Sequence, residues 1–149
     1  MILALKVEGL RSAAAPLVAA MVAEAVSGGV EATAVVWVPG RARDRRRRGF
    51  DHAEVLGRLV GRELGLAARS LVARAREPPD QASLSAAARR RNLVGVFAAT
   101  SCPAPVLLVD DVVTTGATAA ACAGALRTAG CPQVEVLAAC RAPAPGSGR

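Results

Sequence analysis

The stretch Val106-Leu107-Leu108-Val109-Asp110-Asp111-Val112-Val113-Thr114-Thr115-Gly116-Ala117-Thr118 carries the reading of the fold. Four apolar residues run into two adjacent carboxylates. Two more apolar residues follow, and a short loop of hydroxyls and glycine opens an alanine-rich segment. The apolar run reads as a buried strand that delivers two acids to its end. Thr114, Thr115, Gly116, Ala117 and Thr118 then present hydroxyls and consecutive backbone N–H groups at a helix start, an anion nest with a favourable dipole. Gly116 lets the backbone approach the anion closely. A ligand with vicinal hydroxyls on one side and a phosphate on the other suits this pairing, and a phosphorylated ribose is such a ligand.

Outward from this stretch, the chain alternates helical and strand-like segments. Residues 12–27 read as a helix capped by Ser12 and ended by Gly28-Gly29, and residues 30–38 as a buried strand stopped by Pro39-Gly40. Residues 41–49 are too charged and glycine-punctuated for a core and read as a loop. Apolar residues at Ala53, Leu56, Leu59, Val60 and Leu64 have helical spacing, closed by Gly65. A short strand is expected around Leu71-Val72, a mobile loop over 76–83, and a short helix capped by Ser83 or Ser85 through Arg91. Further strands are expected at 94–98, 106–110 and 134–139, with a helix over 117–129 stopped by Gly130. Near-continuous apolar strands between helices argue for an α/β fold with a parallel sheet, and such sheets bind ligands beyond the carboxyl ends of their strands. Pro39 and the Asp110-Asp111 pair fall at two such ends. One domain over 1–141 and a flexible Pro/Gly/Ser-rich tail over 142–149 complete the organisation.

Of 149 residues 52% are apolar, enough for one domain with a full core. Aromatics are 2%: Trp37, Phe50 and Phe97 are too few for a base-stacking platform. No apolar run has the length of a membrane span and the first residues lack signal-peptide order, so no membrane partner and a cytoplasmic location are expected. Cys102, Cys122, Cys131 and Cys140 form no Cys-x-x-Cys pair, and the single His52 is distant in sequence. They read as free thiols rather than zinc ligands. The net charge is +7, and residues 41–91 hold 14 of the 19 basic residues against 6 of the 12 acids. The whole positive excess lies there, so an anionic partner is expected in that window, either a phosphorylated small molecule or, weakly, a nucleic acid. The sequence leaves self-association open.

Residues 106–118 resemble the phosphoribosyl pyrophosphate signature of the type I phosphoribosyltransferases at every position. Arg48-Gly49-Phe50-Asp51-His52-Ala53-Glu54 is similar to the Arg-Gly-Phe-Asn-Gln segment of the competence protein F (ComF) family. Gln81, Leu84, Arg89, Asn92, Gly95 and Phe97 fall at the spacing of that family's Gln-x-x-Leu, Arg-x-x-Asn and Gly-x-Phe stretch. Leu5-Lys6 and Gly9 resemble its segment before the first helix. The resemblance implies a central, mainly parallel sheet flanked by helices, with a mobile lid loop. It also implies that Asp110 and Asp111 are catalytic and take the ribose 2′- and 3′-hydroxyls. Val112, Val113, Thr114, Thr115, Gly116, Ala117 and Thr118 complete the binding loop for the 5′-phosphate. Arg48 receives pyrophosphate, and Gln81, Arg89 and Asn92 lie on the lid. The implied cofactor is Mg²⁺, bridging substrate oxygens with Asp110 and Asp111 as the nearest protein groups, and the implied reaction is phosphoribosyl transfer to a nitrogen acceptor.

Two departures bear on this. The four-cysteine zinc module common at the start of ComF proteins is not seen in these residues, and Asp51-His52 replaces Asn-Gln. Thr114 also stands where the hypoxanthine-guanine enzymes of the superfamily carry an acid, which disfavours a purine acceptor of that kind. Arg45, Arg46 and Arg47 read individually as a solvated charge run. A non-catalytic ComF-type protein, tied to DNA uptake or nucleotide sensing, is the alternative.

Overall fold

The computed structural model describes residues 2–78 and 86–142. Its centre is a four-stranded parallel sheet in the order β2 (Ala67–Arg69), β1 (Ala34–Trp37), β5 (Val106–Val113), β6 (Val134–Arg141). β1 and the first five residues of β5 are buried, as central strands covered on both faces must be. The register pairs Trp37 with Val109, so β1 and β5 reach the same edge together, and the Val38 N–H continues the ladder to the Val109 carbonyl at 2.9 Å.

Side chains alternate across the sheet. Val35, Leu107 and Val109 face one side, where they pack with Val18, Met21 and Ala25 of α1 (Ile2–Ser27) and with Leu56 and Val60 of α3 (His52–Leu64). Val36, Val106 and Leu108 face the other side and pack on Cys122, Ala123 and Leu126 of α5 (Ala117–Thr128). The same core takes in Val72 and Phe97 from a separate antiparallel ribbon of β3 (Val72–Arg74) and β4 (Phe97–Ala99). That ribbon and the short α4 (Ala86–Asn92) form a small layer beside the sheet. Cys102, Cys122 and Cys131 are buried free thiols, and burial pushes the Cys122 thiol up to about 12.

Several boundaries differ from the sequence reading. The first helix runs from Ile2 rather than starting at a Ser12 cap, because Leu, Ala, Val, Lys and Glu precede Ser12 and carry the helix through it. The expected loop at 41–49 contains a helix, α2 (Ala42–Arg48). Arginine is a good helix former, and Gly49 at φ +85° closes the turn by donating its N–H to the Arg45 carbonyl at 2.8 Å. The single strand expected around Leu71-Val72 is two: β2 on the parallel sheet and β3 in the ribbon. The strand expected at 94–98 is displaced to Phe97–Ala99 by the left-handed Gly95. β5 extends through the acid pair to Val113, since β6 pairs with it as far as Arg141. Ser83, Ser85 and Gln81 and the tail from 143 onward lie outside the described residues.

Candidate functional site

The carboxyl ends of β1 and β5 open into a cleft of about 230 Å³. Asp110 continues the Val106-Leu108 side of β5 and Asp111 the Leu107-Val109 side, so strand alternation sends the two carboxylates to opposite sides of one strand end. Asp110 is only 6% exposed. Its Oδ1 accepts the Asp111 N–H at 2.9 Å, and Asp111 Oδ1 accepts the Val112 N–H at 2.9 Å. Burial pushes Asp110 up to about 7, with the adjacent Asp111 carboxyl adding to the rise. Near neutral pH Asp110 therefore holds a proton for part of the time, and the strand end can then donate as well as accept.

The opposite wall comes from α2. Arg41, Asp44, Arg45 and Arg48 line the cleft. Their spacing of three and four residues is one face of a helix, and Arg43, Arg46 and Arg47 fall on other faces. Reading 41–49 as a loop concealed this. It kept Arg48 in the site but assigned Arg45 to a solvated run. The helix places Arg45 beside Arg48 and leaves Arg46 and Arg47 off the cleft.

His52 bridges the two walls. Arg48 Nη1 lies 3.3 Å from its Nδ1, and Asp111 Oδ2 lies 3.8 Å from the same nitrogen. A guanidinium only donates and a carboxylate only accepts, so Nδ1 serves Arg48 when it carries no hydrogen and Asp111 when it does. Phe50 packs its ring against the imidazole, centroids 4.9 Å apart and nearly perpendicular. Asp51 is a fastening rather than a ligand. Its Oδ2 accepts the Gly40 N–H at 2.7 Å and its Oδ1 accepts the Ala53 N–H at 3.1 Å, tying the loop after β1 to the start of α3. A Cβ on Gly40 would sit 2.9 Å from that Oδ2, so only glycine lets the loop lie this close.

The turn after β5 leads into α5 with Gly116 in the left-handed region at φ +76°. Thr115 Oγ1 accepts the Ala117 N–H at 3.3 Å, and Thr118 lines the cleft beside Asp110, Asp111 and Val112. Thr114 is exposed, with Val113 preceding it at the end of β5. Asn92 ends α4 and its carbonyl takes Arg76 Nη2 at 3.1 Å. It is not among the residues that line the cleft, and Arg89 is placed on the same helix. A larger groove of about 640 Å³ lies between Leu93, Phe97 and the alanine face of α5, but the titratable side chains converge on the smaller one.

Sequence reasoning missed Arg74. This last residue of β3 reaches into the cleft from the ribbon, donates Nε to the Pro39 carbonyl at 2.9 Å and stacks 4.8 Å from the Phe97 ring centre. Burial holds its pKa below the usual guanidinium value, with Glu77 acting in the opposite direction.

No protein-family model matches the chain. It is 38% identical to the DNA utilization protein YhgH of Salmonella typhi over 113 residues, covering 72% of this chain and 48% of that one. It is 35% identical to competence protein F of Haemophilus influenzae over 102 residues, covering 64% and 44%. The chain thus spans about half the length of the curated relatives it matches. A solved structure described as the allosteric regulatory enzyme of purine biosynthesis superposes with a TM-score of 0.56 over 83% of this chain and 24% of that one, at 21% identity, a likeness of fold. With the parallel sheet, the acid pair at its edge and these relatives together, the chain belongs with the competence protein F and YhgH proteins, on the α/β fold of the type I phosphoribosyltransferases.

Proposed function

We propose that the cleft binds 5-phosphoribosyl pyrophosphate with Mg²⁺ and that the protein transfers the phosphoribosyl group to a nitrogen acceptor. One observation carries this reading: two carboxylates at a buried strand end share a cleft with Arg45 and Arg48 of α2, with its N-cap Arg41, and with Thr118 in the first turn of α5. Asp110 and Asp111 take the ribose hydroxyls. Thr114, Thr115, Gly116, Ala117 and Thr118 hold the 5′-phosphate at the start of α5, and Arg41, Arg45 and Arg48 draw in the pyrophosphate.

Among the described residues no group of three His, Cys, Asp or Glu side chains is placed to hold a metal. The donor set on offer is the acid pair, which fits an ion that keeps several waters and takes substrate phosphate oxygens. When bound, Mg²⁺ supplies charge neutralisation of the leaving pyrophosphate. As that group departs, positive charge develops on the ribose ring, and the fixed Asp110-Asp111 pair stabilises it. The acceptor's proton does not go to Thr114, whose hydroxyl is no base.

Calorimetric titration with 5-phosphoribosyl pyrophosphate and Mg²⁺ tests the binding. Saturable binding is expected in the wild type, lost when Asp110→Asn and Asp111→Asn are combined. Pyrophosphate release across a panel of nitrogen nucleophiles tests transfer. The printed names of the relatives favour a second reading, a ligand-binding module associated with DNA use. Tight binding without pyrophosphate release over the whole panel would select it.

A further inference from the structure

Two thiols meet at the end of the sheet opposite the cleft. Cys102 lies just before β5 and Cys131 just before β6, and these parallel strands both start at that end. Each cysteine is 4% exposed. Both sulfurs donate to one acceptor, the Ala104 carbonyl oxygen, Cys102 Sγ at 3.4 Å and Cys131 Sγ at 3.1 Å. The two thiols are also within hydrogen-bonding reach of each other. Burial, with the Cys102 thiol beside it, raises the Cys131 thiol above its ordinary value, so the pair is protonated at neutral pH. The burial is shallow, because Ser101 and Pro103 around Cys102, and Gly130 and Pro132 around Cys131, are all exposed. The backbone is already tied across the gap. The Cys102 N–H donates to the Ala129 carbonyl at 3.1 Å and the Val106 N–H to the Gln133 carbonyl at 3.0 Å. Gly130, at φ +97°, makes the turn that brings Cys131 back beside Cys102. Thiols are weak donors, so sharing one carbonyl gains little. Two sulfurs side by side on fixed backbone are what a disulfide needs.

We propose that Cys102 and Cys131 form a reversible dithiol site that low-molecular-weight disulfides oxidise, and that the resulting bond staples the β5–α5 unit. The Cys131 thiolate attacks one sulfur of the small disulfide, which gives a mixed disulfide and releases the first small thiolate. The Cys102 sulfur gives up its proton, attacks the Cys131 sulfur and expels the second. The protein dithiol thus loses a pair of electrons and a pair of protons, and the small disulfide leaves as two thiols. The bond closes a loop that contains β5, the turn after it and α5, and so restricts the unfolded chain over that whole unit. Cys122 lies inside the loop on α5, and Cys140 is exposed near the end of β6.

Oxidised glutathione added to folded Cys140→Ser protein tests this, since the substitution removes the exposed thiol that would cross-link two chains. Of the three remaining thiols only Cys122 is expected to stay free when titrated after denaturation. Cleavage at arginine and aspartate puts Cys102, Cys122 and Cys131 on separate peptides, and without reductant the Cys102 and Cys131 peptides are expected to be joined. The oxidised protein is expected to melt about 5–10 °C above the reduced one, and dithiothreitol to reverse the shift. Three free thiols after prolonged exposure, a mixed disulfide that persists on either cysteine, or a bond through Cys122 would overturn the site. A Cys102–Cys131 bond that leaves the melting temperature unchanged would overturn the staple.

Discussion

Strand alternation puts Asp110 on the same side as Leu108, against α5, where a carboxylate has little water to ionise into. Its pKa of about 7 lies above the roughly 3.9 of an unfolded aspartate. The native chain therefore holds a proton that the unfolded chain has released. Stability from this group is full below about pH 4 and is lost as pH rises toward about 7. Asp110→Asn removes the cost of the buried charge and keeps the acceptor for the Asp111 N–H. It is expected to raise the melting temperature at pH 8, by roughly 2–4 °C for each kcal/mol recovered, and to change it little at pH 4. Calorimetric scans across that range check this, and an equal shift at both pH values would refute the raised pKa. The same substitution is expected to weaken ligand binding, so the proposed function is what keeps the acid there. The corresponding substitution at Asp51 is expected to destabilise. Both of its oxygens accept backbone N–H groups, so Asp51→Asn turns an amide NH₂ toward one of them. A loss of about 1–2 kcal/mol is expected from urea unfolding, and an unchanged midpoint would show that the loop after β1 is fastened by something else.

At the scale of elements, the sequence shows what hydrophobic pattern can show. The β5 strand, the α5 helix and the apolar stripe of α3 are legible because burial writes period-two and period-3.6 patterns into them. Asp110, Asp111 and Thr118, which line the cleft, are legible as candidates from the patterned segment they sit in, and Arg48 from its place in the ComF-like motif. α2 is not. It has no buried residue, so its helical period is carried only by charges, and composition alone reads as loop. Arg74 is not legible either, because its role depends on the ribbon folding back over the end of β1, a contact 35 residues away in sequence. The α2 helix makes its own prediction. Arg45→Gln, on the cleft face, is expected to weaken binding of 5-phosphoribosyl pyrophosphate by about tenfold, while Arg46→Gln, off it, leaves binding unchanged. Equal losses at the two positions would mean that charge alone matters and the face does not.

At the scale of the whole molecule, the question is whether the basic window forms a track for a polymer or a pocket for a small anion. The structure disperses much of the charge that the sequence concentrates. Arg58 pairs with Glu54 at 2.9 Å and stacks on Trp37, and Arg76 is spent on the carbonyls of Asn92 and Val94. Arg74 turns inward to Pro39. What faces the acid-pair cleft from α2 and its N-cap is the set Arg41, Arg45 and Arg48 with Asp44 among them, a concave cluster rather than a stripe. Such a surface should grip few phosphates of a nucleic acid. With about three contacts, the slope of log affinity against log salt for a single-stranded oligonucleotide is expected near −2, and binding at physiological salt is expected to be weak. Fluorescence anisotropy of a labelled oligonucleotide over a salt series measures it. 5-Phosphoribosyl pyrophosphate with Mg²⁺ should displace the oligonucleotide, since both use the α2 face. A slope steeper than about −5, or no displacement, would require a basic track elsewhere on the molecule and would separate any role in DNA use from the cleft.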